Sequence, residues 1–195
     1  MDNLKQEIQV HDKKFKLLIN PAEIQDAVDR IARKINEEYR NKKPVFIITL
    51  KGALIFAVDL LKKIDFECEI ETIRAKSYGS GMVSGGNVLI SQMTGNISGK
   101  DVIIIEDIVD TGLTIFQLRR ELELYKPNSI KVATFLMKPS MLQNTVEIDY
   151  VGIEIPPDFV VGYGLDYAEY GRNLPAIYAL DEKWKTLRFL LNMMV

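Results

Sequence analysis

The stretch from Val102 to Thr114 constrains the fold of this chain most, with the sequence Val-Ile-Ile-Ile-Glu-Asp-Ile-Val-Asp-Thr-Gly-Leu-Thr. Its first four residues, Val102 to Ile105, are all β-branched and apolar, which is typical of a central strand covered on both faces. We therefore expect a strand, an acidic loop and then an amphipathic helix. The apolar stripe of that helix comprises Ile115, Leu118, Leu122 and Tyr125.

The predicted loop combines two kinds of chemistry at the carboxyl end of a strand, where ligands bind in open α/β sheets. Asp110 to Thr114 offers a glycine, two hydroxyls and the N–H groups of a helix start, which suit a phosphate. Glu106 and Asp107 repel phosphate but suit ribose hydroxyls or a hydrated Mg²⁺. A ribose 5-phosphate satisfies both halves. The alternative is that the two acids are solvated and that Asp110 caps the helix.

The whole stretch closely resembles the phosphoribosyl-pyrophosphate signature of type I phosphoribosyltransferases, in their hypoxanthine/guanine branch. The resemblance implies that Glu106 and Asp107 contact the ribose hydroxyls. It also implies that Asp110 is the catalytic base, which accepts the N7 proton of the purine. Leu113 departs from the pattern, because many relatives carry lysine or arginine there. The implied 5-phosphate loop comprises Asp110, Thr111, Gly112, Leu113 and Thr114.

A second strand–loop–helix unit precedes this one, with a buried strand at Val45 to Leu50 and an apolar helix from Ala53 to Leu61. The loop between them, Lys51 and Gly52, brings one cation and a close backbone approach, which suit a diphosphate. A plain turn with a surface lysine is the alternative. The order of these residues resembles the pyrophosphate loop of the same family, in which the peptide before the glycine is often cis.

A glycine-rich segment from Ser77 to Asn87 contains four glycines and three serines in eleven residues. Such a composition disfavours regular structure, and the flanking strands predict a long hairpin loop. Its opening residues, Ser77 and Tyr78, match the dipeptide that opens the flexible active-site loop of the family. The resemblance implies a lid that excludes water from the reaction, and a disordered hairpin tip is the alternative.

The second half of the chain carries the remaining residues of the resemblance. Lys138 follows a strand predicted at Ser129 to Met137, and it matches the lysine that hydrogen-bonds the purine 6-oxo group. Without the resemblance Lys138 and Arg172 would be solvated charges, and Phe159 and Val160 would be core residues. The family implies a purine-stacking ring, a backbone contact to the base edge, a Mg²⁺ contact and a pyrophosphate contact, at Phe159, Val160, Asp166 and Arg172 respectively.

Composition sets bounds on the function. A chain of 195 residues with 47% hydrophobic residues is typical of a globular protein, and its net charge of -2 does not suggest a surface for nucleic acid. Cys68 is the only cysteine, which fits a reducing cytoplasm. His11, the only histidine, is expected at the surface. The polar start and the short apolar runs predict neither a secretory signal nor a membrane span.

We expect a single α/β domain over residues 1–195, with a mainly parallel twisted sheet flanked by helices. The type I phosphoribosyltransferase fold has a core, here at about 40–150, and a small hood from the terminal segments, about 1–20 and 151–195. One strand is expected at His11 to Ile19. The apolar segment Phe189 to Val195 is expected to dock on the domain or on a second subunit.

The resemblance implies an enzyme of purine salvage that uses Mg²⁺. It would transfer the phosphoribosyl group of phosphoribosyl pyrophosphate to N9 of hypoxanthine or guanine, giving IMP or GMP and pyrophosphate. Mg²⁺ would be held by Glu106, Asp107 and Asp166. Relatives are homo-oligomers, dimers or tetramers, with no nucleic acid or membrane partner. The alternatives are a non-catalytic regulator of the same fold that binds phosphoribosyl pyrophosphate, and a receiver-type signalling domain.

Overall fold

The computed structural model divides the chain into two compact units. The larger unit is Asp26–Pro157, and the smaller unit joins Met1–Gln25 to Asp158–Val195. The residues that the structure describes are 4–77, 88–90 and 95–181.

The secondary structure alternates strands and helices through the larger unit. The described helices are α1 (Pro21–Tyr39), α2 (Leu54–Leu61) and α3 (Leu113–Glu123), with a short 3-10 helix at Pro139–Met141. None of these helices is long and apolar enough to cross a membrane. The described strands are β1 (Glu7–Val10), β2 (Lys13–Ile19), β3 (Val45–Leu50), β4 (Glu69–Ser77), β5 (Val88–Ile90), β6 (Asp101–Val109), β7 (Ser129–Met137), β8 (Tyr150–Glu154), β9 (Val160–Val161) and β10 (Ile177–Leu180).

The larger unit contains a six-stranded sheet in the order β5-β4-β3-β6-β7-β8. The strands from β4 to β8 in this order run parallel, and β5 is antiparallel to β4 at the edge. The predicted α/β class with a mainly parallel sheet is therefore confirmed. β3 and β6 lie at the centre, and Val102–Ile105 are fully buried, as their unbroken apolar run predicts.

β6 is longer than predicted, and Glu106 and Asp107 lie in the strand rather than in a loop. The reason is the neighbouring strand, which stays paired along the whole length of β6. The parallel register joins Glu106 to Thr134 and continues to Val109, opposite Met137. Because this pairing satisfies backbone groups beyond the apolar run, the strand continues through the two acids.

The helix after the loop follows its predicted stripe over two turns and then ends. Ile115, Leu118 and Leu122 are buried against the sheet. The prediction for Tyr125 was wrong, because α3 ends at Glu123 and the Tyr125 side chain is 47% exposed. Asp110 does not cap the helix either, since the N-cap residue is Gly112, in the left-handed conformation with φ 78°.

The smaller unit contains an antiparallel sheet in the order β1-β2-β10-β9. The single strand expected from His11 to Ile19 is instead one arm of a hairpin. His11 and Asp12 form its turn, and His11 is exposed with a φ of 52°. Phe15 is fully buried at the centre of the sheet, where apolar residues from all four strands surround it.

Candidate active site

The larger sheet places three of the predicted site residues at the carboxyl ends of neighbouring strands. Lys51, Asp110 and Lys138 follow β3, β6 and β7, which are neighbouring parallel strands. Val109 pairs with Met137, so the next residues on the two strands, Asp110 and Lys138, are also neighbours. Carboxyl ends of parallel strands form the ligand edge of such sheets.

Lys138 and Asp110 form an ion pair at this edge. The Lys138 ammonium donates to Asp110 Oδ2 at 3.0 Å, and the Lys138 residue is only 7% exposed. Asp110 Oδ1 is also buried, and it has no hydrogen-bond partner among the described residues. A buried cation needs an acceptor, and a buried carboxylate oxygen without a donor is costly. The pair therefore offers one cationic donor and one unused acceptor to a ligand.

Glu106 and Asp107 occupy different environments although they are adjacent. Glu106 is buried, and Asp107 is partly exposed. Burial raises the pKa of Glu106 well above its ordinary value of 4.5, and the neighbouring Asp107 carboxylate raises it further. The Oε2 atom of Glu106 has no hydrogen-bond partner within the described part of the chain. Asp107 is the acid of this pair that is open to a ligand.

The loop after β3 packs directly on Asp107. The peptide bond between Leu50 and Lys51 is cis, which is one bond earlier than the peptide before Gly52 for which the resemblance led us to expect it. A Cβ atom added to Gly52 would overlap the Asp107 carboxylate. Only glycine therefore allows the backbone of this loop to approach the acid so closely, and Lys51 lies beside it at the surface.

The Thr111–Thr114 loop is braced from behind. The backbone N–H groups of Gln143 and Asn144 and the Asn144 side chain donate to Thr111 O, at 3.1, 3.3 and 3.2 Å. The Leu113 N–H donates to the Thr111 hydroxyl at 3.4 Å. Leu113 and Thr114 begin α3, so this end of the helix provides N–H groups and a positive partial charge. The loop has the features of an anion site.

Asp166 and Arg172 face each other across a turn of the smaller unit. The Arg172 guanidinium contacts Asp166 Oδ1 at 2.6 Å and donates to Gly164 O at 2.8 Å. Asp166 Oδ2 accepts from the Glu169 N–H at 2.8 Å. Both side chains are about a quarter exposed, 28% for Asp166 and 27% for Arg172. The ion pair fixes the turn and leaves both charges accessible.

Phe159 and Val160 lie at the start of β9 with opposite exposure. Val160 is buried, and its strand pairs with β10, where the residue opposite is Ala179. Phe159 is 39% exposed, whereas its sequence alone would place it in the core. Its ring contacts Phe15 and Tyr167. An exposed ring on a buried strand is a surface on which a flat apolar ligand can stack.

A magnesium ion is compatible with the donors that are present. The described residues contain no cluster of three or more His, Cys, Asp or Glu side chains suited to a metal. Mg²⁺ is commonly bound through one or two carboxylates, with waters and substrate phosphates completing its shell. The partly exposed carboxylates of Asp107 and Asp166 fit that chemistry, each within its own unit.

Two segments singled out in the sequence lie largely outside the residues that the structure describes, and two further residues lie close to Phe159. Ser77 ends β4, but Tyr78, the rest of the glycine-rich segment and the apolar segment from Phe189 lie outside the described residues. Lys13 and Tyr167 were not predicted as site residues, although the Lys13 ammonium and the Tyr167 ring both lie against the Phe159 ring. Aromatic residues after the matched phenylalanine were the only signal, since hairpin pairing cannot be read from sequence spacing.

A domain model, a sequence relative and a solved structure all match this chain to the same family. The phosphoribosyl transferase domain model matches residues 17–168. The chain is 45% identical over 166 residues to the hypoxanthine-guanine phosphoribosyltransferase of Bacillus subtilis, covering 85% of this chain and 92% of that protein. A crystal structure of a hypoxanthine phosphoribosyltransferase from Staphylococcus aureus superposes with a TM-score of 0.82 at 38% identity, covering 87% of this chain and 92% of that one.

A further relative is much longer than this chain. The bifunctional protein TilS/HprT of Listeria innocua is 43% identical over 169 residues, which are 86% of this chain but only 26% of that protein. The chain thus spans about a quarter of the length of this curated relative. The match of the domain model, together with the shorter relatives that align over nearly their full length, shows that the chain belongs to the phosphoribosyltransferase family, in its hypoxanthine-guanine branch.

Proposed function

We propose that the protein transfers the 5-phosphoribosyl group of phosphoribosyl pyrophosphate to N9 of hypoxanthine or guanine, with Mg²⁺, in purine salvage. The products are IMP or GMP and pyrophosphate. The observation that carries the proposal is the ion pair between the buried Lys138 and the partly exposed Asp110, 3.0 Å apart, beside the loop that begins α3. A base-reading cation, a proton acceptor and a phosphate site thus meet at one edge of the larger sheet.

The Lys138–Asp110 pair is complementary to a 6-oxopurine. Such a base carries an acceptor, O6, next to N7, which bears a proton in the reacting tautomer. Lys138 donates to O6, and the unused Oδ1 of Asp110 accepts the N7 proton as N9 attacks C1 of the ribose. Adenine presents a 6-amino donor instead, which an ammonium group repels, so adenine is a poor substrate.

The phosphate and ribose sites follow from the same edge. The loop from Asp110 to Thr114 holds the 5-phosphate through its N–H groups and hydroxyls. Leu113 supplies no cation there, so the backbone provides most of the affinity. Lys51 and Gly52 contact the pyrophosphate. Asp107 contacts the ribose hydroxyls or the metal, and the buried Glu106 supports it from within the strand.

The smaller unit contributes the base-stacking and leaving-group residues of the proposal. Phe159 stacks on the purine, and the backbone of Val160 reads its edge. Asp107 in the larger unit and Asp166 in the smaller unit each present a partly exposed carboxylate to Mg²⁺, whereas Glu106 is buried. Arg172 contacts the pyrophosphate. The metal supplies positive charge that stabilises the leaving group. The guanidinium of Arg172 adds to this electrostatic stabilisation. We also propose that the enzyme is cytoplasmic, in line with its single cysteine. The resemblance further implies a homo-oligomeric, single-domain protein.

The proposal is tested by measuring nucleotide formation from phosphoribosyl pyrophosphate and Mg²⁺, with hypoxanthine, guanine, xanthine and adenine offered separately. Product with hypoxanthine or guanine, and none with adenine, supports it. Efficient product with adenine contradicts the role of Lys138. Tight binding of phosphoribosyl pyrophosphate with no product from any base would favour the non-catalytic regulator.

A further inference from the structure

We propose that Lys13 and Tyr167 are positioning residues that hold the Phe159 ring in the orientation in which it stacks on the purine. This inference rests on the proposed role of Phe159. All the contacts that carry it lie within the smaller unit, and none involves a residue that the resemblance assigns to the site other than Phe159 itself.

Burial alone does not fix the Phe159 ring, because 39% of the residue is exposed. Its neighbours must set the orientation. The Tyr167 ring meets it edge to face, with centroids 5.9 Å apart and planes at 86°. The Phe15 ring, which is fully buried, lies 6.4 Å away at 44°. The edge-to-face arrangement is a favoured one for aromatic pairs, and both centroid distances lie in the range of such contacts. The two rings therefore define one side of the stacking surface.

Lys13 connects the rings to the β1–β2 hairpin. Its ammonium lies 4.1 Å from the Tyr167 centroid and 5.8 Å from the Phe159 centroid. Both distances are within the range of a cation–π interaction. No carboxylate among the described residues forms a salt bridge with this ammonium. The cation of Lys13 is therefore held by the faces of the two aromatic rings.

Tyr167 is fixed at its other end as well. Its hydroxyl donates to Asp12 Oδ1 at 2.9 Å, and Asp12 is the residue before Lys13 in the hairpin. Two consecutive hairpin residues thus bind the hydroxyl and the ring of one tyrosine. The Tyr167 ring in turn contacts the Phe159 ring edge to face. Motion of Phe159 away from its stacking orientation would break contacts with groups that are anchored elsewhere.

The central variant is Lys13→Met, which keeps the length and apolar stem of the side chain and removes the cation. We expect the KM for hypoxanthine to rise about three- to tenfold, in line with the size of cation–π and aromatic contacts. The KM for phosphoribosyl pyrophosphate and kcat at saturation should change less than twofold. Lys13→Arg retains a cation that stacks on rings, and it should restore the KM for hypoxanthine.

Lys16→Met is the matched control, because it removes the same charge from the same strand. Lys16 pairs with Glu7 and Asp181 rather than with a ring. Its KM for hypoxanthine should equal that of the wild type. Melting temperatures of all variants show whether folding is affected, and calorimetric Kd values for IMP give a readout that does not depend on turnover.

Phe159→Leu separates the two levels of the proposal. A rise in the KM for hypoxanthine with Phe159→Leu, and also with Lys13→Met, supports the inference. A rise with Phe159→Leu but wild-type values for Lys13→Met would overturn the positioning role and leave the stacking role of Phe159 standing. Unchanged KM and IMP affinity with Phe159→Leu would overturn both. Equal losses with Lys13→Met and Lys16→Met would show a charge effect and overturn the inference.

Discussion

The two oxygens of Asp110 have different surroundings, and this difference defines what the residue can do. Oδ2 accepts from Lys138, and the buried Oδ1 has no partner among the described residues. The ion pair with Lys138 holds the carboxylate in place. The free oxygen is then an acceptor for a proton that a ligand brings.

Asp110→Asn tests this role at the scale of one atom. The amide has the same shape and can still accept a bond from Lys138, but it cannot take up a proton. We expect kcat to fall by roughly 10²–10⁴, the usual contribution of a general base, while the Kd for IMP stays within a few fold. Steady-state kinetics and calorimetry measure the two quantities. An unchanged kcat would show that another group accepts the proton.

Gly52→Ala tests the contact between the β3 loop and Asp107. The new methyl group would overlap the Asp107 carboxylate, so the side chain or the loop must move. We expect the KM for phosphoribosyl pyrophosphate to rise by roughly tenfold or more, because small displacements of binding groups are costly. The KM for hypoxanthine should change little.

Gly99→Ala is the control for that substitution. Gly99 has a φ of 70°, and a Cβ there would meet nothing within 4 Å. Alanine at this position costs about 1 kcal/mol of backbone strain without touching a ligand. The melting temperature of Gly99→Ala should fall, and its kcat and KM values should equal those of the wild type. Equal kinetic losses in the two variants would mean that Gly52 acts only through stability.

The sequence predicted a set of candidate site residues, but it did not predict the contacts among them. Asp110 and Lys138 are 28 residues apart, and their ion pair depends on the register that places Val109 opposite Met137. A one-residue shift in that register would separate them. The contacts made by a hairpin likewise depend on how its strands pair, and the position of Lys13 beside Phe159 was therefore not predicted.

At the scale of elements, α1 is joined to the sheet by a polar network around Glu38. Glu38 accepts from Lys131 of β7 and from the Tyr150 hydroxyl of β8, both at 2.5 Å. Burial alone would raise the pKa of Glu38, but the bonds from Lys131 and Tyr150 outweigh it and lower the pKa below 4.5. The charged form of Glu38 is therefore favoured in the folded state.

Glu38→Gln should reveal this network through pH. A lowered pKa stabilises the fold above the unfolded value near 4.5, and this contribution is lost as the pH falls through the folded pKa. Because the side chain is 36% exposed, we expect a modest loss of about 0.5–1 kcal/mol at pH 7. Urea unfolding should show a smaller difference in the free energy of unfolding between the wild type and Glu38→Gln at low pH than at pH 7. Glu37→Gln, one residue earlier on the helix, is the control and should leave the free energy of unfolding unchanged at both pH values.

Elements were predicted best where burial alone decides them. The apolar pattern of β7 gave its bounds, Ser129 to Met137, without error. α1 buries Ile24, Val28 and Ile31, which are spaced so that they lie on one face of the helix. Errors came where a neighbour or a chain turn decides the outcome. Pairing with β7 extended β6 through Glu106 and Asp107, and the end of α3 left Tyr125 exposed.

At the scale of the whole chain, ligand binding should appear as stability. A ligand that binds only the folded protein stabilises it by about 2.7 kcal/mol at 100 times its Kd, which is roughly 5–11 °C in Tm for a chain of this size. IMP should give such a shift, since it carries both the 5-phosphate and a 6-oxo group. AMP shares the ribose phosphate but presents a 6-amino group to Lys138, so its shift should be clearly smaller.

The same measurement of Tm tests the metal requirement separately from base recognition. It also distinguishes an enzyme from a non-catalytic regulator. Phosphoribosyl pyrophosphate should raise Tm with Mg²⁺ and much less with a chelator, because in the proposed site the cation offsets the charge of its phosphates. Asp110→Asn should keep both the IMP and the phosphoribosyl-pyrophosphate shifts while losing turnover, since a general base acts in the transition state rather than in ground-state binding. Equal shifts with IMP and AMP would contradict base reading by Lys138. Loss of every shift in Asp110→Asn would mean that Asp110 holds the ligand rather than its proton.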